Sequence, residues 1–399
     1  MPPATTPPSL LTLILMTVVG ILSLNMMIPS LANMAADFDV TYAQASLSVS
    51  LFMVVTAVLQ LVVGPISDLV GRRPVALASI AIFVLASVGC VMATSFATFM
   101  IFRVIQGVIA AAIVLPRTIV RDTSSPRDAT AKLGTIGMAI ALGPMLAPLA
   151  GGLLDEAYGW QASFHAFWIV GLALLVLCWV DVGETNKTLG TPILAHFRTY
   201  PLLFGDRAFW SYTLCLGFSV GTFFAFIAGA PIVGSQIFGL SPSMIGLTLG
   251  APPVGFLIGS WLSTRLAPRI APGRLLLAGR IVVIAGLAMA LILWTLGVQS
   301  PWVLFGFMPA IGIGNGLTNP AANVGAMSVR SDLAGSASGV SGATTIGIGA
   351  AMTAIAGWTL TANADPLRLL LLVGITAVLS LLVAGPALRH ARAGFADTT

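Results

Sequence analysis

Long apolar segments follow one another along almost the whole chain, and short polar stretches separate them. A helix that crosses a membrane needs about 20 mostly apolar residues. Strands of outer-membrane barrels instead alternate polar and apolar residues over roughly ten positions, a pattern that this sequence lacks. The segments therefore predict twelve membrane-spanning helices, at about 9–31, 44–66, 75–95, 97–120, 131–153, 160–181, 208–231, 243–264, 275–296, 302–326, 336–360 and 366–388.

The composition places the chain in the membrane class. Of its 399 residues, 57% are hydrophobic and 8% are charged, whereas soluble domains carry about 25% charged residues. The net charge of +5 would suggest a nucleic-acid partner for a soluble protein. In a membrane protein the positions of the basic residues matter more than their sum, so we expect no nucleic-acid partner. Cys90, Cys178 and Cys215 lie in apolar segments without a CxxC pattern, which favours buried thiols over disulfides or a metal site.

The basic residues predict the orientation, because cytoplasmic loops carry an excess of Lys and Arg. If the N-terminus is cytoplasmic, the inner loops and inner helix ends hold all 18 Lys and Arg residues except Arg103, inside a helix, and Arg368, on the outer side. Both termini are then expected in the cytoplasm. The longest loop follows the sixth span. We therefore expect an N-terminal half at 1–181, a cytoplasmic linker at 182–206 and a C-terminal half at 207–399.

The connection between the second and third spans carries a specific motif, GPISDLVGRRP. Gly64 and Pro65 are expected to end the second helix, which leaves Asp68, Arg72 and a second arginine in a loop of few residues. An ordinary positive-inside loop would explain the arginines but not the combined spacing of Gly, Asp, Gly and Arg-Arg. The motif resembles the signature G-x-x-x-D-x-x-G-R-R of the major facilitator superfamily.

That resemblance implies a role for three charged residues. In the family the acid of the motif, here Asp68, caps the N-terminus of the eleventh span. The first arginine, here Arg72, pairs with an acid at the inner end of the fourth span, and Asp122 occupies that position. The resemblance thus implies a latch of Asp68, Arg72 and Asp122 that closes the cytoplasmic side in the outward-open state.

Two further motifs extend the resemblance. Arg103, Gln106 and Gly107 match the R-x-x-Q-G pattern in the fourth span of the superfamily's drug:proton antiporters. In the fifth span, GMAIALGPMLAPLAGG matches the antiporter motif G-P-x-x-x-P/G-x-x-G-G, where Gly143 and Pro144 are expected to form a flexible seam. Taken alone, this stretch could also reflect close packing, because small residues let membrane helices approach each other.

Sequences towards the end of the chain, GNGLTNPAAN and AGSASGVSGA, are similar to the bicyclomycin-resistance-type branch, Bcr/CflA. The resemblance covers nearly the whole chain. It implies an all-α membrane protein with twelve transmembrane helices in two pseudosymmetric six-helix bundles. Substrate would bind near the midplane, in a central cavity lined by spans one, four, seven and ten.

The first span departs from that branch. It reads LSLNMMIP, so Asn25 occupies the position where the branch usually has an aspartate facing the cavity. All 13 Asp and Glu residues fall in loops or at span ends. A proton-coupled exporter usually alternates protonation of a buried carboxylate with binding of a cationic drug. The sequence therefore does not identify the residue that would carry the proton.

Polar and aromatic positions in the spans provide candidates for substrate contacts. Arg103 could contact the substrate, or it could equally form hydrogen bonds with carbonyls of a neighbouring helix. Asn315, Asn319 and Asn323 follow one another at intervals of four residues on one helix face, which must avoid lipid. Phe223 belongs to an aromatic cluster that suits a drug-like ligand or helix packing equally. The candidate set is Asn25, Arg103, Gln106, Phe223, Asn315 and Asn319.

These observations predict a secondary transporter of the inner membrane, not an enzyme, which exports small drug-like or amphipathic molecules by alternating access. We expect no cofactor, the proton motive force as driver, and a monomer in the lipid bilayer with a small-molecule substrate and protons as partners. Arg103 and the missing acid favour one alternative, an exporter or facilitator of an anionic or neutral metabolite. The other alternative is a non-transporting membrane sensor or enzyme, which no appended domain, metal cluster or nucleophile–base pair in the sequence supports.

Overall fold

The computed structural model describes residues 8–124, 126–186, 203–266, 269–270, 272–330 and 334–387. Helices account for most of these residues, and no strand occurs among them. We number the helical segments in chain order: α1 (Leu10–Asp37), α2 (Tyr42–Val70), α3 (Arg72–Met92), α4 (Phe96–Thr123), α5 (Pro126–Tyr158), α6 (Gln161–Asp181), α7 (Arg207–Phe238), α8 (Pro242–Leu266), α9 (Pro272–Thr295), α10 (Pro301–Gly306 with Pro309–Ser328), α11 (Ala334–Thr361) and α12 (Pro366–Leu382).

Each predicted span corresponds to one of these segments. Within the described ranges, 10 helices are long and apolar enough to cross a membrane. The other two, α5 and α10, occupy the fifth and tenth predicted spans. Several helices run beyond the predicted ends, with α1 reaching Asp37 and α7 reaching Phe238. The protein is therefore an all-α, multi-pass membrane protein.

Four segments, α1, α4, α8 and α10, contain internal turns. In α4 a short 3₁₀ segment, Gln106–Ile109, separates Phe96–Ile105 from Ala110–Thr123. The first piece of α8, Pro242–Leu249, is followed by Gly250, and in α10 a turn precedes Pro309. Glycine and proline weaken the regular hydrogen bonding of a helix, which explains these interruptions.

The expectation that Gly64 and Pro65 end the second helix is wrong. α2 continues through Pro65 to Val70, and Gly71 (φ 112°) alone separates it from α3. Membrane helices tolerate proline because neighbouring groups and local adjustments satisfy the backbone carbonyl that it frees. The predicted loop is therefore one glycine in a conformation that other residues rarely adopt.

The two halves contact each other mainly through α2 with α11 and through α5 with α8. We call the end of the bundle that holds Tyr42 the Tyr42 end, and the opposite end the Arg72 end. At the Tyr42 end, the Tyr42 hydroxyl donates to the Ala228 carbonyl of α7 at 2.5 Å. The Glu156 carboxylate of α5 accepts from the backbone N–H of Ser243, in the first turn of α8, at 3.2 Å. Direct hydrogen bonds therefore join the halves at this end.

Two glycines bring α5 and α8 together at the Tyr42 end. A Cβ added at Gly246 would lie 2.5 Å from the Pro148 carbonyl oxygen, and one at Gly152 would collide with the Pro242 carbonyl oxygen. Small residues let membrane helices approach this closely. The backbones of the two helices are therefore in direct contact across the boundary between the halves.

Candidate functional site

The N-terminal half encloses the guanidinium of Arg103, which is fully buried in α4. Nη2 donates to the Ser23 carbonyl at 2.8 Å, Nη1 to Gln106 Oε1 at 2.8 Å, and Nε to the Ser48 carbonyl at 3.3 Å. The centre of the Phe52 ring lies 3.9 Å from the guanidinium carbon, within cation–π distance. One side chain thereby joins α4 to α1 and α2.

Gln106 extends this network to α3. Its Nε2 donates to Ser87 Oγ at 2.7 Å, and both side chains are fully buried. A Cβ at the next residue, Gly107, would lie 2.6 Å from Val55 of α2, so a glycine there allows α4 to approach α2. Of the two alternatives for Arg103, this geometry supports hydrogen bonding to neighbouring helices. Substrate contact by Arg103 or Gln106 stays a prediction.

Asn25 ends the first helical piece of α1, two residues after Ser23, whose carbonyl accepts a hydrogen bond from Arg103. Asn25 is 1% exposed, and its Nδ2 donates to the Ile21 carbonyl of the same helix at 3.1 Å. Its Oδ1 has no hydrogen-bond partner within the described part of the chain. Because a buried acceptor without a partner costs free energy, a ligand or water that donates to Oδ1 would be stabilised there.

The C-terminal half encloses a second guanidinium, that of Arg280. The pattern of basic residues placed it at an inner helix end, but it lies eight residues after Pro272, about 12 Å along α9, and is fully buried. It donates from Nη2 to Asn315 Oδ1 at 2.8 Å, from Nε to Thr318 Oγ1 at 3.0 Å and from Nη1 to Ser380 Oγ at 3.4 Å. The signal in the sequence was this set of polar residues in α10 and α12, which need a donor inside the membrane.

Asn315 is the centre of a polar group between α7 and α10. Its Oδ1 also accepts from Ser219 Oγ at 2.7 Å, and its Nδ2 donates to the Ser219 carbonyl at 3.0 Å. Ser219 Oγ lies 2.8 Å from Asn319 Oδ1, and Asn319 is half-buried. Phe223, one turn further along α7, is half-buried and packs against the neighbouring phenylalanine ring. The structure thus places Asn315, Asn319 and Phe223 on one polar and aromatic surface.

Asp68, Arg72 and Asp122 lie together at the Arg72 end. Arg72 is 5% exposed and forms ion pairs with Asp68 and, at 3.1 Å from Nε, with Asp122 Oδ2. Its Nη1 also donates to Ser67 Oγ. The start of α11, which the resemblance makes the partner of Asp68, adjoins residues 331–333, which lie outside the described residues. That contact and the latching role therefore stay predictions.

Gly143 lies buried in α5, where an added Cβ would collide with Ile21 of α1. This glycine allows close packing of two helices within one half. The side chain of Pro144 lies outside the described residues. The flexible seam of Gly143 and Pro144 stays a prediction.

The two halves share one chemical arrangement, a buried guanidinium whose partners are neutral amides, hydroxyls and carbonyls. Among the residues that the structure describes, no carboxylate lies within ion-pair distance of Arg103 or Arg280. Both guanidinium groups are fully buried, so the groups that remain for a ligand are Asn25 Oδ1, which lacks a partner, and the half-buried Asn319 and Phe223. Such amide and aromatic groups suit reversible binding of a small molecule.

Known proteins share this architecture. The sequence profile of the Major Facilitator Superfamily matches residues 13–354. Multidrug resistance protein D of Escherichia coli (strain K12) is 30% identical over 345 residues, which cover 84% of each chain. A bicyclomycin resistance protein homolog of Haemophilus influenzae (strain ATCC 51907 / DSM 11121 / KW20 / Rd) is 29% identical over 271 residues, 65% of this chain and 68% of that protein.

A solved structure agrees with these relatives in fold. A bacterial homolog of the human lysosomal transporter Spinster, in an inward-facing and unoccupied conformation, superposes with a TM-score of 0.69 at 17% identity and covers 96% of both chains. The resemblance to the bicyclomycin-resistance-type branch is confirmed by the named relatives. The chain is a membrane-embedded transporter of a small-molecule substrate, not an enzyme, and it belongs to the Major Facilitator Superfamily.

Proposed function

We propose that this transporter exports small drug-like or amphipathic molecules across the inner membrane, driven by the proton motive force. The observation that carries the proposal is the surface of Asn315, Asn319 and Phe223, where amides and an aromatic ring lie together on α7 and α10. Drug-sized ligands bind to such apolar surfaces with a few polar groups. Relatives named for multidrug and bicyclomycin resistance support the same substrate class.

Alternating access is the mechanism that we infer for this export. The hydrogen bonds and glycine contacts at the Tyr42 end hold the halves together there. The positive-inside pattern makes this end periplasmic and makes the Arg72 end, with both termini, cytoplasmic. The halves at 1–181 and 207–399 would rock about the central site. Separation of α5 from α8 would then open the periplasmic side, while the Asp68 latch would close the cytoplasmic side.

A second candidate function is transport of an anionic or neutral metabolite. Arg103 and Arg280 carry charge without a carboxylate partner in the described structure, and Asn25 stands where the branch usually has an acid. A unit charge about 10 Å from a charged ligand contributes about 2 kcal/mol at an effective dielectric constant of about 20. Each guanidinium would therefore disfavour a cation and favour an anion by an amount of this order.

Uptake into inverted membrane vesicles tests both candidates with three probes: the lipophilic cation tetraphenylphosphonium, uncharged bicyclomycin and a singly charged anionic dye. Drug:proton exchange predicts uptake of the cation or of bicyclomycin, with proton efflux and sensitivity to a protonophore. Uptake of the anion alone, without proton movement, would replace this candidate with the metabolite transporter. If none of the probes moves faster than in vesicles without the protein, both candidates fail for these chemical classes.

Asn25→Asp is the matched variant for this experiment. It restores a carboxylate at the buried end of the first piece of α1 with almost no change in size. Because opposite charges attract strongly in a buried site, we expect uptake of the cation to increase by about tenfold and to become dependent on pH. Asn25→Ser, which adds no charge, is the control and should not produce this gain.

A further inference from the structure

Arg280 sets the direction of the hydrogen bonds around it. A guanidinium has five N–H donors and no acceptor, so each of its partners must turn a lone pair towards it. The Thr318 hydroxyl accepts from Arg280 and directs its own proton to the Leu276 carbonyl at 3.2 Å. The Ser380 hydroxyl also accepts from Arg280 and directs its proton to the Cys215 carbonyl at 2.8 Å. The roles of donor and acceptor are therefore fixed at both hydroxyls.

The Asn315 amide is fixed in the same way. Its Oδ1 accepts from Arg280 Nη2 at 2.8 Å, and its Nδ2 donates to the Ser219 carbonyl at 3.0 Å. If this amide turned by 180°, its N–H groups would face the guanidinium and its oxygen would face the carbonyl, so two hydrogen bonds would become two repulsive contacts. Asn315 Oδ1 therefore stays in place, 2.7 Å from Ser219 Oγ.

The Ser219 hydroxyl has one proton and two amide groups beside it. Its Oγ lies 2.7 Å from Asn315 Oδ1 and 2.8 Å from Asn319 Oδ1, and two oxygens at such a distance repel each other unless a proton lies between them. Asn319 makes no other hydrogen bond within the described ranges, so its amide, unlike that of Asn315, is free to turn. With Asn319 Nδ2 facing Ser219, each of the two close contacts contains a proton.

This orientation leaves the oxygen of Asn319 for a ligand. Asn319 is half-buried, and the end of its amide that faces away from Ser219 then carries Oδ1. Asn319 donates to Ser219, and Ser219 donates to the oxygen of Asn315 that Arg280 also binds. Hydrogen bonds in such a chain polarise one another. Asn319 Oδ1 is therefore a strengthened acceptor at the surface between α7 and α10.

The N-terminal half presents a second amide oxygen without a donor. Asn25 is 1% exposed, and its Oδ1 has no hydrogen-bond partner among the residues that the structure describes. Its Nδ2 donates to the Ile21 carbonyl at 3.1 Å, which keeps the amide from turning. A buried acceptor without a partner costs free energy, and a donor on a ligand removes this cost. Each half thus offers an acceptor, not a donor.

We propose that this transporter selects uncharged molecules that carry hydroxyl or N–H donors. Asn319 Oδ1 contacts the donor of the ligand, while Ser219 and Arg280 are positioning residues that fix which end of the Asn319 amide faces it. The inference rests on the export of small drug-like molecules proposed above and narrows that class. A ligand that lacks donors leaves the acceptors unpaired, and the positive charge of Arg280 disfavours a cation close to this surface.

Two uncharged probes with the same skeleton test the selection. Chloramphenicol carries two hydroxyl groups and one amide N–H, and its di-O-acetyl ester has lost both hydroxyl donors. Uptake into inverted membrane vesicles that contain the full-length protein would give kcat/KM for each probe. In the wild type we expect kcat/KM for chloramphenicol to be about tenfold higher or more, mainly through a lower KM, because one unpaired acceptor is enough for a factor of this size.

Four variants separate the roles of the residues. Asn319→Asp keeps an oxygen towards the ligand and should keep at least half of the ratio of the two kcat/KM values, whereas Asn319→Leu should lose most of it. Ser219→Ala retains the backbone contact with Asn315 but releases the Asn319 amide, so the ratio should fall about threefold or more. Ser235→Ala is the matched control on α7, because the Ser235 hydroxyl donates to the Ile232 carbonyl of its own helix at 3.3 Å. It should leave the ratio unchanged.

The possible results distinguish this inference from the proposed export. Equal kcat/KM values for the two probes in the wild type overturn the selection for donors, while export itself stands. A reversed preference in Asn319→Asp shows that the ligand faces Nδ2 and overturns the orientation of the amide. If Ser219→Ala does not fold, the two Asn319 variants decide. If neither probe moves faster than in vesicles without the protein, the proposed export fails for these molecules, and the inference fails with it.

Discussion

Replacing Arg103 by alanine should destabilise the N-terminal half by about 3–5 kcal/mol, because it leaves a cavity in place of a large buried side chain and leaves three buried acceptors without their donor. The substitution removes three hydrogen bonds from a charged donor, to Ser23, Ser48 and Gln106, each contributing about 1.5–3 kcal/mol. It also removes the contact with the Phe52 ring, which contributes about 2 kcal/mol when desolvated. Part of this loss is offset, because the variant no longer pays the free-energy cost of moving the guanidinium charge out of water on folding.

Thermal unfolding of the purified protein in detergent would measure the change. One kcal/mol corresponds to about 2–4 °C for a domain of 150–250 residues, so the melting temperature should fall by about 6–20 °C. Arg103→Met fills most of the volume and should lose about half as much, because less of a cavity remains.

A residue that only contacts substrate in an open cavity behaves differently. Surface substitutions usually change stability by about 0.5 kcal/mol or less, so such a role predicts lost binding with unchanged unfolding. If Arg103→Ala melts within about 1 °C of the wild type and no longer binds substrate, the structural interpretation of Arg103 is refuted.

Three further predictions concern the C-terminal half and the helix contacts. Asn315→Leu should lower the free energy of unfolding by about 2–4 kcal/mol, because Arg280 loses an acceptor. Adding Arg280→Met should recover most of this loss. If the two substitutions lower the thermal stability additively, the coupling between the two residues is contradicted. Gly143→Val should lower the melting temperature by several degrees through its collision with Ile21, and an unchanged value would show that α5 and α1 can move apart. Tyr42→Phe removes a hydrogen bond between the halves that contributes about 1 kcal/mol. The population of the state that is open at the Tyr42 end, measured from spin-label distances, should therefore rise about fivefold. An unchanged population would show that this bond does not hold the Tyr42 end closed.

The positions of the helices could be predicted from the sequence because a membrane-spanning helix must hide its backbone within one long apolar segment. The end of α2 could not. Pro65 normally indicates the end of a helix, but a membrane helix can continue through a proline when it is packed among other helices, and α2 continues to Val70. Local propensity was overridden by contacts that the pattern of apolar residues does not encode.

In the candidate site, too, some features could be predicted from the sequence and others could not. The spacing of the asparagines in α10 placed Asn315 and Asn319 beside Ser219, because it depends only on helical periodicity, whereas Asn323 is exposed. Arg280 was missed because the positive-inside pattern counts basic residues without regard to depth.

The two buried guanidinium groups have a consequence for the energy barrier of transport. All hydrogen bonds of Arg103 are made within the N-terminal half, and all those of Arg280 within the C-terminal half. The rocking of the halves that we propose would therefore break none of these bonds. Among the residues that the structure describes, the contacts that this rocking would break include the Tyr42–Ala228 and Glu156–Ser243 hydrogen bonds at the Tyr42 end; domain movements of this kind occur on the microsecond to millisecond scale. The two guanidinium groups would thus stiffen each half separately, without adding any of their bonds to the boundary between the halves.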